Sequence, residues 1–106
     1  MAVPRAEIEA ERMRRVPGIF FADGPVGRRA RVTGTGIDVF EIIKGYKAMG
    51  RDWRRLRSGY DRLSEEQLQA ALDYYALYPD EIEARLEREA TIEREAMAAR
   101  KVARSR

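Results

Sequence analysis

Arginine is the residue type on which any chemistry of this chain must rest. Arg28, Arg29 and Arg31 form one cluster, and Arg51, Arg54, Arg55, Arg57 and Arg62 form a second. Guanidinium groups are planar, permanently charged and fork-shaped, so such clusters suit phosphate oxygens on either side of a nucleic-acid groove. Gln67 and Gln69 follow the second cluster, and an amide side chain can pair with an adenine edge. Catalysis has fewer candidates. The chain has no histidine and no cysteine, which removes the usual general base, the Ser-His-Asp and Cys-His pairings and thiolate zinc sites. Carboxylates remain, with Glu81 and Glu83 or Glu93 and Glu95 as the pairs to weigh for acid/base or magnesium work. They lie in a strongly charged stretch with no apolar setting to shift a pKa, so a solvated helical face accounts for them. Gly18, Gly24, Gly27, Gly34 and Gly36 are not followed by Gly-Lys-Ser/Thr, and turn geometry explains them better than a phosphate-cradling loop. No enzyme activity, cofactor or metal is expected.

Charge is laid out in blocks. From Glu65 to Glu95 ten acidic residues face three arginines, whereas the stretch from Ala96 to Arg106 carries only basic charge, although the formal net charge is just +3. Such alternation suits separate surfaces for an anionic and a cationic partner, and it equally suits an unevenly charged solvated surface. No run approaches the roughly 20 apolar residues of a membrane span, and Arg5, Glu7, Glu9 and Glu11 stand where a signal peptide would be apolar. A soluble, cytoplasmic protein without membrane contact is expected. At 106 residues a single domain buries about 60 to 65% of its unfolded surface, which leaves a lone monomer marginal.

The elements that must hold these residues follow from local signals. Residues 1–16 are charged and uncapped, and read as a flexible or weakly helical arm outside the core. Gly18-Ile19-Phe20-Phe21, the turn residues Asp23-Gly24-Pro25 and the alternating Arg29-Ala30-Arg31-Val32 predict a hairpin or two short strands. Asp38 with Glu41 reads as an N-cap pair for a first helix over 38–49, closed by Gly50. Asp52 caps a short second helix carrying Trp53 and Leu56 inward. Ser64 with Gln67 is a capping box, backed by the staple Leu63 and Leu68, and Leu68, Ala71, Leu72 and Tyr75 form the buried stripe of a third helix. Pro79, Asp80 and Glu81 open a long fourth helix whose apolar residues Ile82, Leu86, Ala90, Ile92 and Met97 keep no single face.

Three helices of about 12, 7 and 13 residues with short turns match the helix-turn-helix pattern, and match an ordinary small bundle as well. Glu65 and Glu66 at the start of the third helix would be repelled by a DNA groove, and complementing the helix dipole explains them better. The ribbon from Arg28 to Arg31 is the other source of base contacts.

Pro17-Gly18, Gly24-Pro25 and the run from Arg31 to Val39 resemble the Gly-x-Pro and Gly-Thr-Arg-Ile-x-Val signature of the domain of unknown function 433 family. Gly50, Tyr60 with Leu63 and Ser64, Ala70-Ala71-Leu72-x-Tyr74-Tyr75 and Asp80-Glu81-Ile82 resemble the rest of that pattern in order, over roughly residues 17–83. The resemblance implies a VapB-like helix-turn-helix antitoxin, typically encoded beside a PIN-like ribonuclease toxin, dimeric through its N-terminal strands and toxin-binding through its C-terminal extension. The chain departs from the pattern at Gly36, where the family usually has arginine, and at Arg51 to Arg57, where a more acidic helix is common.

The expected fold is therefore α+β and mainly α, with short N-terminal strands, a trihelical helix-turn-helix core and a protruding C-terminal helix. Residues 1–16 form the arm, 17–78 the ribbon and helix-turn-helix domain, and 79–106 a partner-binding helix. The expected function is an antitoxin that binds its promoter as double-stranded DNA and neutralises a PIN-like toxin. The alternative is a dimeric adaptor that never meets DNA. DNA contacts are expected from Arg28, Arg29, Arg31, Arg51, Arg54, Arg55, Arg57, Arg62, Gln67 and Gln69. A homodimer interface is expected at Ile19, Phe20, Phe21 and Val32, and toxin contacts at Ile82, Leu86, Ile92, Met97, Arg100, Lys101 and Arg104.

Overall fold

A computed structural model describes residues 2–25 and 27–104, so the last two residues of the C-terminal segment lie outside the described part. It is mainly helical, with α1 (Arg5–Arg15), β1 (Ile19–Gly24), β2 (Gly27–Val32), α2 (Val39–Ala48), α3 (Trp53–Gly59), α4 (Glu65–Leu77) and α5 (Pro79–Arg104) in chain order. β1 and β2 pair antiparallel, Ile19 opposite Val32 and Phe21 opposite Ala30. Residues directly opposite in an antiparallel pair share a face, so these four line the side that packs on α2 and α4. The Phe21 ring meets Tyr74 edge-on at 6.2 Å.

The helix ends follow local chemistry. Ser64 and Gln67 form the reciprocal capping box at the start of α4, and the Asp52 carboxylate accepts from the Arg55 N–H at 3.2 Å to cap α3. α2 closes in a Schellman turn, in which Arg51 N–H reaches Tyr46 O and Gly50 N–H reaches Lys47 O. Gly50 takes φ 72° there, and Arg51 follows at φ 59°, a left-handed conformation that costs a non-glycine residue about 1 kcal/mol. Asp38 stands at the N-cap position of α2, but its side chain makes no capping hydrogen bond. Its carboxylate is turned to the β2 arginines instead.

α2 supplies Val39, Phe40, Ile42 and Ile43 to the core, α3 supplies Leu56, and α4 supplies Leu68, Ala70, Ala71 and Tyr74. The N-terminal segment departs from the expected arm outside the core. Residues Arg5–Arg15 form a helix that packs on β1. Glu9, Arg12 and Val16 recur at helical spacing and so share one face, and Glu9 and Val16 are buried. Composition alone missed this, because the docking face is made by ion pairs rather than by an apolar stripe.

α5 has two halves. Ile82 is buried and Leu86 packs against the core, whereas every described residue from Ile92 to Arg104 is exposed. Thirteen helical residues extend about 20 Å. The radius of gyration of 16.0 Å exceeds the roughly 13 Å of a compact chain of this length, as a projecting helix requires.

Candidate nucleic-acid interface

The second arginine cluster is built by α3 and its flanks. α3 buries Leu56 and half-buries Trp53, so the same helix must present Arg54, Arg55 and Arg57 outward, and all three are exposed. The left-handed turn places Arg51 just before α3, and Arg62 lies in the loop before α4; both are exposed as well. Arg57 pairs with Glu65 at 2.6 Å, an exposed contact of little energetic weight. Glu65 therefore offsets one arginine of the patch, and Glu66 stands exposed beside it at the positive end of the α4 dipole.

The glutamine expected to read bases is engaged elsewhere. Gln67 Oε1 accepts from the Ser64 N–H at 2.8 Å, and its Nε2 donates to Thr33 O at 3.2 Å. One amide thus ties the start of α4 to the loop after β2, which is a structural task. Gln69 is exposed, and its Nε2 donates to Asp73 Oδ1 at 2.9 Å on the same helix.

The ribbon arginines are engaged too. Arg28 makes a two-pronged ion pair with Glu9, both contacts at 2.9 Å, which raises the Arg28 guanidinium above its ordinary pKa. Arg31 Nε donates to Asp38 Oδ1 at 3.1 Å, and Arg29 Nε lies 3.3 Å from Asp38 Oδ2. Arg28, Arg29 and Arg31 accordingly serve the fold first: they dock α1 and clamp the start of α2. Glu9 and Asp38 are the residues that sequence reasoning missed in this role. A carboxylate at helical spacing with Val16 is the available signal for Glu9, while nothing local marks the partner of Asp38.

Apolar candidates divide in the same way. Ile19 and Val32 are 4% and 0% exposed inside the chain's own core, so they are not surface for a second copy, and only Phe20 and Phe21 keep partial exposure. Ile82 is likewise a core residue and Leu86 packs on the core. Both anchor α5, and Ile82 is closed to a partner whereas Leu86 keeps partial exposure. Ile92 and Met97 are 48% and 65% exposed, joined by Val102 at 59%, and Arg100, Lys101 and Arg104 share their exposed stretch.

No helix among the described residues is long and apolar enough to cross a membrane. A family model described as a protein of unknown function, DUF433, matches residues 23–75. This span runs from the end of β1 through most of α4 and leaves α1 and α5 outside it. The solved structure of a DUF433 member protein from Anabaena variabilis ATCC 29413 is similar to this one, with a TM-score of 0.55 and 28% sequence identity over 81% of this chain and 87% of that one. No curated protein matches.

Proposed function

We propose that this chain, which belongs to the DUF433 family, is a DNA-binding antitoxin that grips the phosphate backbone with the arginines around α3 and holds a partner protein with the distal half of α5. The observation that carries the reading is the exposed arginine patch at Arg51, Arg54, Arg55, Arg57 and Arg62, borne on one short helix and its two turns. α2, α3 and α4 would serve as the helix-turn-helix, with α3 and the turns lying across phosphates. With Gln67 committed to the cap and Thr33, base reading from α4 reduces to Gln69, and sequence preference would rest largely on DNA shape. In this account the chain acts as a homodimer in the cytoplasm, and Ile92, Met97, Arg100, Lys101 and Arg104 bind a PIN-like toxin rich in acidic metal-ligating groups.

An adaptor that dimerises without DNA is the second reading, favoured by the engagement of Arg28, Arg29, Arg31 and Gln67 within the fold. Gel-shift titration of the chain on its own promoter and on scrambled DNA, across salt, separates the two. A dimer neutralising six to ten phosphates loses about a thousandfold or more in affinity between about 50 and about 200 mM salt. Arg54→Ala with Arg55→Ala would weaken binding to both DNAs and flatten that slope. Absence of binding at low salt leaves the adaptor.

A further inference from the structure

One face of α5 is covered at the base of the helix and runs on past the body of the protein with nothing of its own chain to meet. Ile82 and Arg85 begin this face, the first buried and the second half-buried. From Arg85, alternating steps of four and three lead through Glu89 to Ile92, Ala96, Ala99 and Ala103, and that spacing keeps a single seam along a helix. The last four are exposed. Met97, Arg100 and Arg104 follow the same spacing on another side, so the distal helix has a narrow apolar seam and a separate basic face. Charge along this stretch is also sorted by sign. From Glu87 to Glu95 four carboxylates face two arginines, whereas from Ala96 to Arg104 three cations face no carboxylate.

We propose that two copies of this chain associate through the distal halves of α5, packed antiparallel along the seam. Antiparallel order sets Ile92 over Ala103 of the second copy and Ala96 over its Ala99, so a large side chain meets a small one at each end. Alanines at the centre let the backbones come close. Glu93 and Arg100 each follow a seam residue, and the two-fold symmetry brings Glu93 of either chain beside Arg100 of the other. Glu93 Oε1 also lies 3.3 Å from Lys44 Nζ, but that contact is exposed and of little weight, and a carboxylate accepts through two oxygens. Charge selects the direction. Each acidic stretch then lies against a basic one, whereas parallel order would set Glu89 against Glu89 and like-charged stretches side by side, which is repulsive. The seam from Ile92 to Ala103 is about 17 Å long, and a contact of that length falls short of the roughly 1,200 Å² of a stable pair. Association is therefore reversible, with a dissociation constant of about micromolar or weaker. The pairing does not depend on the antitoxin reading: Ile92 and Arg100 would be shared between a second copy and a toxin, while Met97 and Arg104 lie outside the seam.

Sedimentation of the full chain alone, from about 1 to about 300 µM, tests the pairing and should show a monomer-dimer equilibrium. Ala99→Glu places a charge in the seam and should weaken association by at least about tenfold, whereas Ala98→Glu, on the far side of the helix, should leave it within about threefold. Both positions are exposed in α5, so circular dichroism should be unchanged in each. Direction is read separately. The chain has no cysteine, so Ala96→Cys and Ala99→Cys each introduce a single thiol, and the two variants, mixed and oxidised, should join to each other in preference to themselves. A chain that stays monomeric to about 300 µM overturns the proposal, as does a dimer that responds no more to Ala99→Glu than to Ala98→Glu. Preference of each thiol for its own copy overturns the antiparallel order. No DNA or toxin is present in these measurements, so failure here leaves the antitoxin reading standing, and absence of DNA binding by a chain that pairs in this way rejects that reading alone.

Discussion

The Arg12 guanidinium donates to the Tyr74 hydroxyl at 2.8 Å across 62 positions of sequence. Arg12 also pairs with Glu81 and stacks 4.2 Å from the centroid of the Tyr78 ring, and the Tyr74 hydroxyl donates to Glu81. One network thus joins α1, the end of α4 and the start of α5, the two helices outside the matched family span being tied to the one inside it. Burial, followed by the contact with Glu81, pushes the Tyr74 phenol above its ordinary pKa, so it remains a neutral donor throughout the physiological range.

Tyr74→Phe keeps the ring against Phe21 and Tyr78 but leaves Arg12 and Glu81 without the hydroxyl between them. Losing hydrogen bonds to charged partners costs about 1.5 to 3 kcal/mol, and each kcal/mol is worth about 4 to 8 °C in a domain of this size. A thermal melt of the variant should show a loss of that order. An unchanged melting temperature would mean that α1 and α5 are held by other means.

Acid should loosen the docking of α1. Hydrogen bonding from Arg28 holds the Glu9 carboxyl below its ordinary value of 4.5. A carboxyl whose folded pKa is depressed stabilises the fold above the unfolded value, and that contribution is lost as pH falls through the folded one. Urea midpoints at about pH 6 and about pH 3 should therefore differ more for the wild-type chain than for Glu9→Gln, which has no charge to lose. Equal differences in the two proteins would show that Glu9 contributes nothing to acid sensitivity.

Gln67→Ala should act on stability before it acts on DNA. It removes the side-chain half of the capping box together with the bond to Thr33, an expected loss of about 1 kcal/mol. Gln69→Ala removes only an exposed contact to Asp73 and should stay within about 0.5 kcal/mol of wild type. Denaturant titration of the two variants side by side gives the comparison. If Gln67→Ala were the milder of the two, Gln67 would be free for another role.

Truncation separates the halves of α5. A chain ending at Thr91 keeps Ile82, Leu86 and the network at Glu81, and should melt within about 0.5 kcal/mol of the full chain. Ending at Tyr78 removes the buried Ile82 and should cost at least about 2 kcal/mol, so that variant cannot report on partner binding. Under the antitoxin reading the Thr91 truncation retains DNA binding and fails to neutralise the toxin. Retained neutralisation would place the partner site elsewhere on the surface.

Much of the local structure was legible in the sequence because its causes are local. The capping box at Ser64 and Gln67, the Asp52 cap, the closure at Gly50 and the start at Pro79 each depend on residues within a turn of one another. Hydrophobic spacing placed Leu56, Leu68 and Ala71 inward, and they are buried. The outward arginines of α3 follow from the same periodicity, since a helix of seven residues that turns Trp53 and Leu56 inward presents Arg54, Arg55 and Arg57 outward.

Which charges are available, and which apolar residues are already covered, depended on tertiary structure. Arg28 meets Glu9 from 19 positions away, and Gln67 meets Thr33 from 34. An arginine run reads identically whether it faces solvent or a buried carboxylate, because periodicity describes one element and not its neighbours. Ile19 and Val32 looked like an open face for the same reason. The sequence determined that β1 and β2 have one apolar side, and only the packing of α2 and α4 decided that this side is closed within a single chain. Local residue types set where each element begins, ends and is apolar. Long-range pairing sets which of its groups remain free for another molecule, since a buried ion pair or a covered face is made by whichever distant segment the fold brings there.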